Sequence, residues 1–317
     1  MVSNFDFDDV QLVPKKCMVT SRSQCDTTIQ FGSRSFKLPI IPANMRCVID
    51  EELSLWLAEN GYFYVMHRFE VDAIKLVKTM CHRHLPASIS VGIKKEDIDL
   101  INSFKMESCK PDYITIDIAH AHSDNVSDMI KRIKDTLPNA FVIAGNVCTP
   151  EATIFLEEAG ADATKIGIGP GAACTTKIKT GFGSAHWQLG AVKDCAYVAN
   201  KLIVADGGIR QHGDIAKAIA FGADMVMIGS MLAGFDESPG ELIKRDDGRL
   251  VKEYYGSASE FNKGHRKNIE GRKLFVDYQG PIAARFQEIT EDLQSSISYA
   301  GGTNVESLRS VDYVVVK

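Results

Sequence analysis

A cysteine and two threonines close a glycine-rich stretch, Ile166-Gly-Ile-Gly-Pro-Gly-Ala-Ala-Cys174-Thr-Thr176, at the end of an apolar run from Ala163 to Ile168. Glycine frees the backbone for φ > 0 and lets it approach a ligand closely. The successive N–H groups of such a loop can form a concave surface suited to anions. A thiol in that setting is open to activation, because the thiolate is the reactive form and an electropositive surrounding lowers its pKa. On its own, a cysteine behind a glycine turn is better read as a buried thiol, so the decision rests on what surrounds it. Downstream, Asp206-Gly207-Gly208 and Gly229-Ser230 also end short apolar runs in glycine. Backbone N–H groups at such turns, with the Ser230 hydroxyl, can donate to phosphate oxygens without a lysine, and Asp206 can accept from ribose hydroxyls. His120 and His122 stand two apart near Asp117, but no further His or carboxylate completes a metal set.

These groups need elements to hold them. From Leu38 the chain alternates short β-like runs with helical patterns. The runs are 38–45, 62–67, 87–93, 113–118, 140–145, 163–168, 202–206 and 224–230. The helices are expected at 51–60, 71–81, 96–104, 126–137, 150–159, 187–199, 213–221 and 282–297. Thr149 is the expected N-cap of the helix that begins with Pro150. Eight apolar runs, each followed by a helix, predict a (β/α)8 TIM barrel rather than an open sheet, and no GxGxxG follows the first run. The polar residues then gather at the carboxyl ends of the strands, where such barrels carry their sites. Residues 1–36 read as an N-terminal arm. The charged, glycine-rich stretch 246–280 follows strand eight and reads as a lid insertion, since loops of that length are uncommon without a function.

Composition narrows the classes. Among 317 residues, 45% are apolar and 24% charged, as in a soluble globular protein, and a net charge of −5 gives no support for binding nucleic-acid polymers. No run approaches the roughly 18 apolar residues of a membrane span, and the N-terminus lacks a signal-peptide core. The eight cysteines are scattered and read as reduced thiols. The expectation is a cytoplasmic protein.

The segments 167–176, Ala205-Asp-Gly-Gly-Ile-Arg210, Gly213-Asp-Ile-Ala-Lys-Ala218 and Met227-Ile-Gly-Ser230 resemble the IMP dehydrogenase/GMP reductase family, as do Phe7-Asp-Asp-Val10 and Pro42-Ala-Asn-Met45. Only Arg68, Phe69 and Glu70 separate run two from its helix, which leaves no room for the regulatory insert that dehydrogenases usually carry. No Arg-Tyr pair, the water-activating dipeptide of the dehydrogenase flap, occurs in 231–317. Ile269-Glu-Gly271 is similar to the reductase lid. The resemblance therefore implies the reductase branch: one catalytic barrel domain over 1–317 with no regulatory insert domain, usually tetrameric, carrying out NADPH-dependent reductive deamination of GMP to IMP and ammonia.

It also implies roles. Cys174 is the nucleophile at purine C2, forming a thioimidate, and Thr176 and Glu270 handle protons on the leaving amino group. Asp206, Gly207, Gly208, Gly229 and Ser230 match the ribose-phosphate site, with Gly256, Ser257, Ala258 and Gly271 as further nucleotide contacts. Arg68, Asp117, Ile118, Ala119, Ile168 and Gly169 match the nicotinamide side, and Ser21 and Arg22 match an arm that reaches a neighbouring subunit's cofactor in relatives. Carbonyls of Gly169, Gly171 and Cys174 stand where family members bind a monovalent cation such as potassium. Three departures stand out: Ala172 replaces a serine, Arg68 replaces a lysine and cannot shuttle protons, and Lys267-Asn-Ile precedes the glutamate in place of Arg-Ala-Ser. The rival readings are a minimal NAD-dependent IMP dehydrogenase and a non-enzymatic purine-nucleotide sensor.

Overall fold

The computed structural model of the chain describes residues 3–316; Met1, Val2 and Lys317, which the 1–317 reading includes, lie outside the described residues. Seven short strands run parallel in one sheet. Their order is Ile40–Pro42, Met225–Ile228, Leu202–Asp206, Ala163–Ile166, Phe141–Val147, Tyr113–Asp117 and Ser88–Val91. Helices alternate with them, and the sheet curls into a TIM-barrel-like α/β fold. Every residue of Ser88–Val91, Ala163–Ile166 and Met225–Ile228 is buried, which is why these strands read as continuous rather than alternating apolar runs. The eight expected helices are Glu51–Glu59, Ala73–His82, Lys95–Ser103, Asp124–Thr136, Pro150–Glu158, Gln188–Val198, His212–Ala220 and Ile282–Tyr299. Local chemistry starts several of them. Asp50 accepts from Leu53 N–H at 2.8 Å, Asp72 from Lys75 N–H at 3.0 Å, and Thr149 from Ala152 N–H at 3.3 Å ahead of Pro150.

One expected strand is absent from the ladder. The run 62–67 is extended and buried from Phe63 to His67, yet it forms no strand of the sheet. One long backbone bond remains, Met66 N–H to Ser88 O at 3.4 Å, and side chains supply the others. Ser88 N–H donates to the Tyr64 hydroxyl at 3.1 Å, that hydroxyl donates to Pro86 O at 3.0 Å, and Ser90 Oγ donates to Met66 O at 2.5 Å. On the other side, Lys37 N–H donates to Gly61 O at 2.9 Å.

At the amino ends of three strands the same device recurs. Asp112, Asp162 and Asp224 each precede a strand, and each carboxylate accepts the N–H that opens the neighbouring run: Ala87 at 2.8 Å, Val142 at 2.7 Å and Ile203 at 2.7 Å. A cation sits on each carboxylate: Arg34, Lys134 and Arg309 respectively. The arm is more structured than its sequence suggested. A hairpin of Ile29–Phe31 and Arg34–Phe36 packs Phe31 against Phe63 and Phe141, with ring centroids 5.2 and 5.0 Å apart, and Phe31 O accepts from Tyr113 Oη at 2.7 Å. Three-residue strands are too short to show a period. The insertion after the last parallel strand is likewise built: Leu242–Lys244, Leu250–Tyr255 and Lys273–Asp277 form an antiparallel sheet. Lys252 is buried within it, its ammonium held by the carbonyls of Phe235, Asp236 and Ser238.

Candidate active site

A cleft of about 340 Å³ opens where the strands' carboxyl ends meet the insertion. The cysteine loop reaches it by a close passage. Gly167 has φ +149°, and a Cβ there would lie 2.0 Å from Asp206 O, so no other residue fits the exit from the strand. Gln188, fully buried, ties the loop base together: its Nε2 donates to Ile166 O at 2.8 Å and Asp206 O at 3.3 Å, while its Oε1 accepts from Ser184 Oγ at 2.6 Å.

The loop brings Cys174 Sγ to 3.1 Å from Thr176 Oγ1, and Thr176 Oγ1 donates to Glu270 Oε2 at 2.6 Å. Because the hydroxyl proton is committed to the carboxylate, the oxygen is left to accept from the thiol. Thiol, hydroxyl and carboxylate thus form one chain along which a proton can pass. The backbone fixes Glu270 beside the cysteine: Thr175 N–H donates to Glu270 O at 2.8 Å, Arg272 N–H to Ala173 O at 2.9 Å, and Glu270 N–H to Ala258 O at 3.1 Å. Gly271 bridges Cys174 directly. Residues nearly a hundred apart in sequence meet only because the insertion folds back over the loop.

Asp206, Asp117, Asn146 and Lys165 form the cleft floor. Lys165 is 2% exposed, with its ammonium 2.6 Å from Asp206 Oδ2 and 3.2 Å from Asp117 Oδ1. Burial pushes its pKa down, but the Asp206 and Asp117 carboxylates outweigh that and hold it above the usual lysine value. Asn146 Nδ2 also donates to Asp206 Oδ2, at 2.7 Å. Arg68, Ile118, Ala119, Ile168 and Gly169 line the same cleft. Arg68 lies over the Phe69 ring at 4.9 Å, and its buried Nε has no hydrogen-bond partner, a free donor at the cleft wall. Behind it, His67 accepts from Phe69 N–H at 3.3 Å, and burial lowers its pKa to about 4.

The remaining expected residues divide. Gly256, Ser257 and Ala258 line the cleft, as does Gly171, whose carbonyl accepts from Cys174 N–H at 3.0 Å and keeps a second lone pair. Gly207 lies against Pro170 and Gly171, and Gly208 against Phe7 and Gln188. Gly229 sits under the buried Tyr254 hydroxyl, and Ser230 opens a short 3-10 turn. Ser21 and Arg22 are not brought to the cleft of their own chain: Arg22 donates to Ser295 Oγ at 3.0 Å and Tyr299 Oη at 3.1 Å on the last helix. Among the described residues no cluster of three His, Cys, Asp or Glu is placed to hold a metal, and no helix is long and apolar enough to cross a membrane. Sequence reasoning gave no role to Lys165, Asn146, Gln188 or Tyr254. A lysine inside an apolar strand was the available signal for the first.

Comparison with known proteins identifies the family of the chain. The profile of the IMP dehydrogenase / GMP reductase domain matches residues 4–316. Proteins named GMP reductase from Clostridium acetobutylicum and Bacillus licheniformis are each 59% identical over 318 residues, covering 100% of this chain and 97% of theirs. One from Staphylococcus aureus is 59% identical over 314 residues, 99% of this chain and 96% of its own.

Proposed function

We propose that this chain, which belongs to the IMP dehydrogenase/GMP reductase family, is an oxidoreductase of purine metabolism that converts GMP to IMP and ammonia using NADPH. The observation that carries the reading is the Cys174–Thr176–Glu270 chain in a cleft floored by carboxylates. An amino group on a purine leaves poorly, and covalent attack divides one hard step into two easier ones. The Cys174 sulfur adds to C2 of the guanine while its proton passes through Thr176 to Glu270. Returned along the same path to the 2-amino group, that proton lets ammonia leave, and a thioimidate at C2 remains. When bound, the cofactor supplies the hydride that takes the vacated place at C2. Cys174 then departs as thiolate and takes up a proton, leaving IMP.

The other residues bind and shield. Asp206 accepts from the ribose hydroxyls, and the turns at Gly207-Gly208 and Gly229-Ser230 hold phosphate through backbone N–H groups. Asp117, Ile118, Ala119, Ile168 and Gly169 hold the nicotinamide side, where the unpartnered Arg68 Nε fits a ligand that brings an acceptor. The insertion 246–280 acts as the lid, keeping water from the thioimidate that it would otherwise hydrolyse to XMP. The reading includes potassium on the carbonyls of Gly169, Gly171 and Cys174, and a homotetramer in which Ser21 and Arg22 reach a neighbour's cofactor.

The test is a matched pair of assays. With GMP and NADPH, the protein is expected to yield oxidised cofactor, IMP and ammonia in equal amounts; with IMP and NAD, no reduction of NAD. Reduction of NAD by IMP would show a dehydrogenase, and silence in both mixtures a binding protein.

A further inference from the structure

Lys165 has no place in the proton chain, yet it is the most completely buried charge in the cleft, 2% exposed. A buried ammonium is tolerated only where opposite charge and hydrogen bonds offset its lost hydration. Here the two offsetting carboxylates come from different strands, and they remain 19% and 21% exposed at Asp206 and Asp117. Each gives one oxygen to Lys165: Asp206 Oδ2 and Asp117 Oδ1. The bonds from Lys165 and Asn146 fall on Asp206 Oδ2 and that from Lys165 on Asp117 Oδ1, so the second oxygen of each part-exposed carboxylate can serve as an acceptor for a ligand. Gly145 makes the arrangement possible, since a Cβ there would lie 2.6 Å from Lys165 Cβ.

We infer that Lys165 is a positioning residue that couples the nucleotide subsite at Asp206 to the nicotinamide subsite at Asp117. The inference rests on the proposed function for the identity of the two ligands. One ammonium is shared between two carboxylates, and a donor from a ligand changes the charge that either carboxylate offers it. When ribose hydroxyls bond Asp206, the hold of Asp117 on Lys165 changes, and with it the position and acceptor strength of Asp117. The same link runs in reverse, because coupling between two binding sites is reciprocal. A lysine that merely neutralised the floor would let each ligand bind independently.

NADP, the oxidised cofactor, does not react with GMP, so both ligands can be titrated together into the full chain by calorimetry. Saturating GMP is expected to change the NADP dissociation constant by about fivefold or more, the lower range of typical coupling. In Lys165→Met, each ligand still binds, more weakly, but that ratio falls to one. A second variant keeps the shape of the floor and guards against a folding defect: Asp117→Asn is expected to change GMP affinity by about fivefold or more with no cofactor present, although Asp117 lies in the other subsite. A ratio of one in the parent overturns the coupling, as does an unaltered ratio in Lys165→Met or an unaltered GMP affinity in Asp117→Asn. If GMP fails to bind the parent chain, the nucleotide reading falls and this inference with it.

Discussion

At the scale of single residues, two side chains have consequences that can be measured apart from one another. In the proposed mechanism the Glu270 carboxylate acts through Thr176, whose Oγ1 lies 2.6 Å from it. Glu270→Gln keeps the shape and removes the proton acceptor, so kcat should fall about 10²–10⁴-fold, the usual range for a general acid–base group, while the KM for GMP moves less than about threefold. Steady-state kinetics at varied GMP checks it. His67 affects stability instead. Its folded pKa of about 4 lies below its ordinary 6.5, so the unfolded chain takes up a proton that the folded chain refuses. Stability is therefore complete above 6.5 and is lost as pH falls through the window toward 4, by about 2 kcal/mol between pH 7 and pH 5. Urea unfolding at both pH values should show that loss, and His67→Asn should remove this part of it. Cys174 and Asp206 were legible as cleft residues only once several glycine-bearing ends of apolar runs were set side by side, since a thiol behind one glycine turn reads alone as a buried one. Lys165 is marked locally only as a lysine inside an apolar strand, and its role was not legible because its partners lie 48 and 41 residues away.

At the scale of elements, the alternation of apolar runs and capped helices fixed most boundaries to within one or two residues. The failures have physical causes. The run 62–67 has the composition of a strand, but beyond one long backbone bond from Met66 N–H to Ser88 O the Tyr64 and Ser90 side chains supply the bonds that a ladder would make. The charged insertion reads as a loop because Lys252 and Glu253 occupy buried positions in its middle strand, and their satisfaction by loop carbonyls and by Lys273 is invisible in sequence. The aspartates that open strands at 112, 162 and 224 also escaped notice, although their recurrence before apolar runs was readable. Asp224→Ala leaves the Ile203 N–H without its partner and the Arg309 guanidinium with Glu306 alone. The expected cost is about 2–3 kcal/mol in urea unfolding, with kcat per folded molecule unchanged because the site lies at the opposite end of the strands.

At the scale of the whole molecule, the two ends of the strands divide the work. The amino ends carry the aspartate–cation pairs and the aromatic packing of the hairpin, and the carboxyl ends carry the polar cleft, as in barrels that bear their chemistry on the loops after the strands. Function was legible at this scale because the thiol, the phosphate-type turns and the insertion all fall at one end of one sheet. Glu270 was legible only through family resemblance, since its place beside Cys174 depends on a fold-back of 96 residues. In the proposed reaction this placement makes Cys174 the nucleophile. The steady-state rate of GMP-dependent NADPH oxidation by Cys174→Ala, compared with the parent chain at equal folded concentration, tests it most directly. The expected result is a rate indistinguishable from background and no nucleotide adduct on the acid-quenched protein; measurable sustained turnover by Cys174→Ala would rule out Cys174 as the nucleophile.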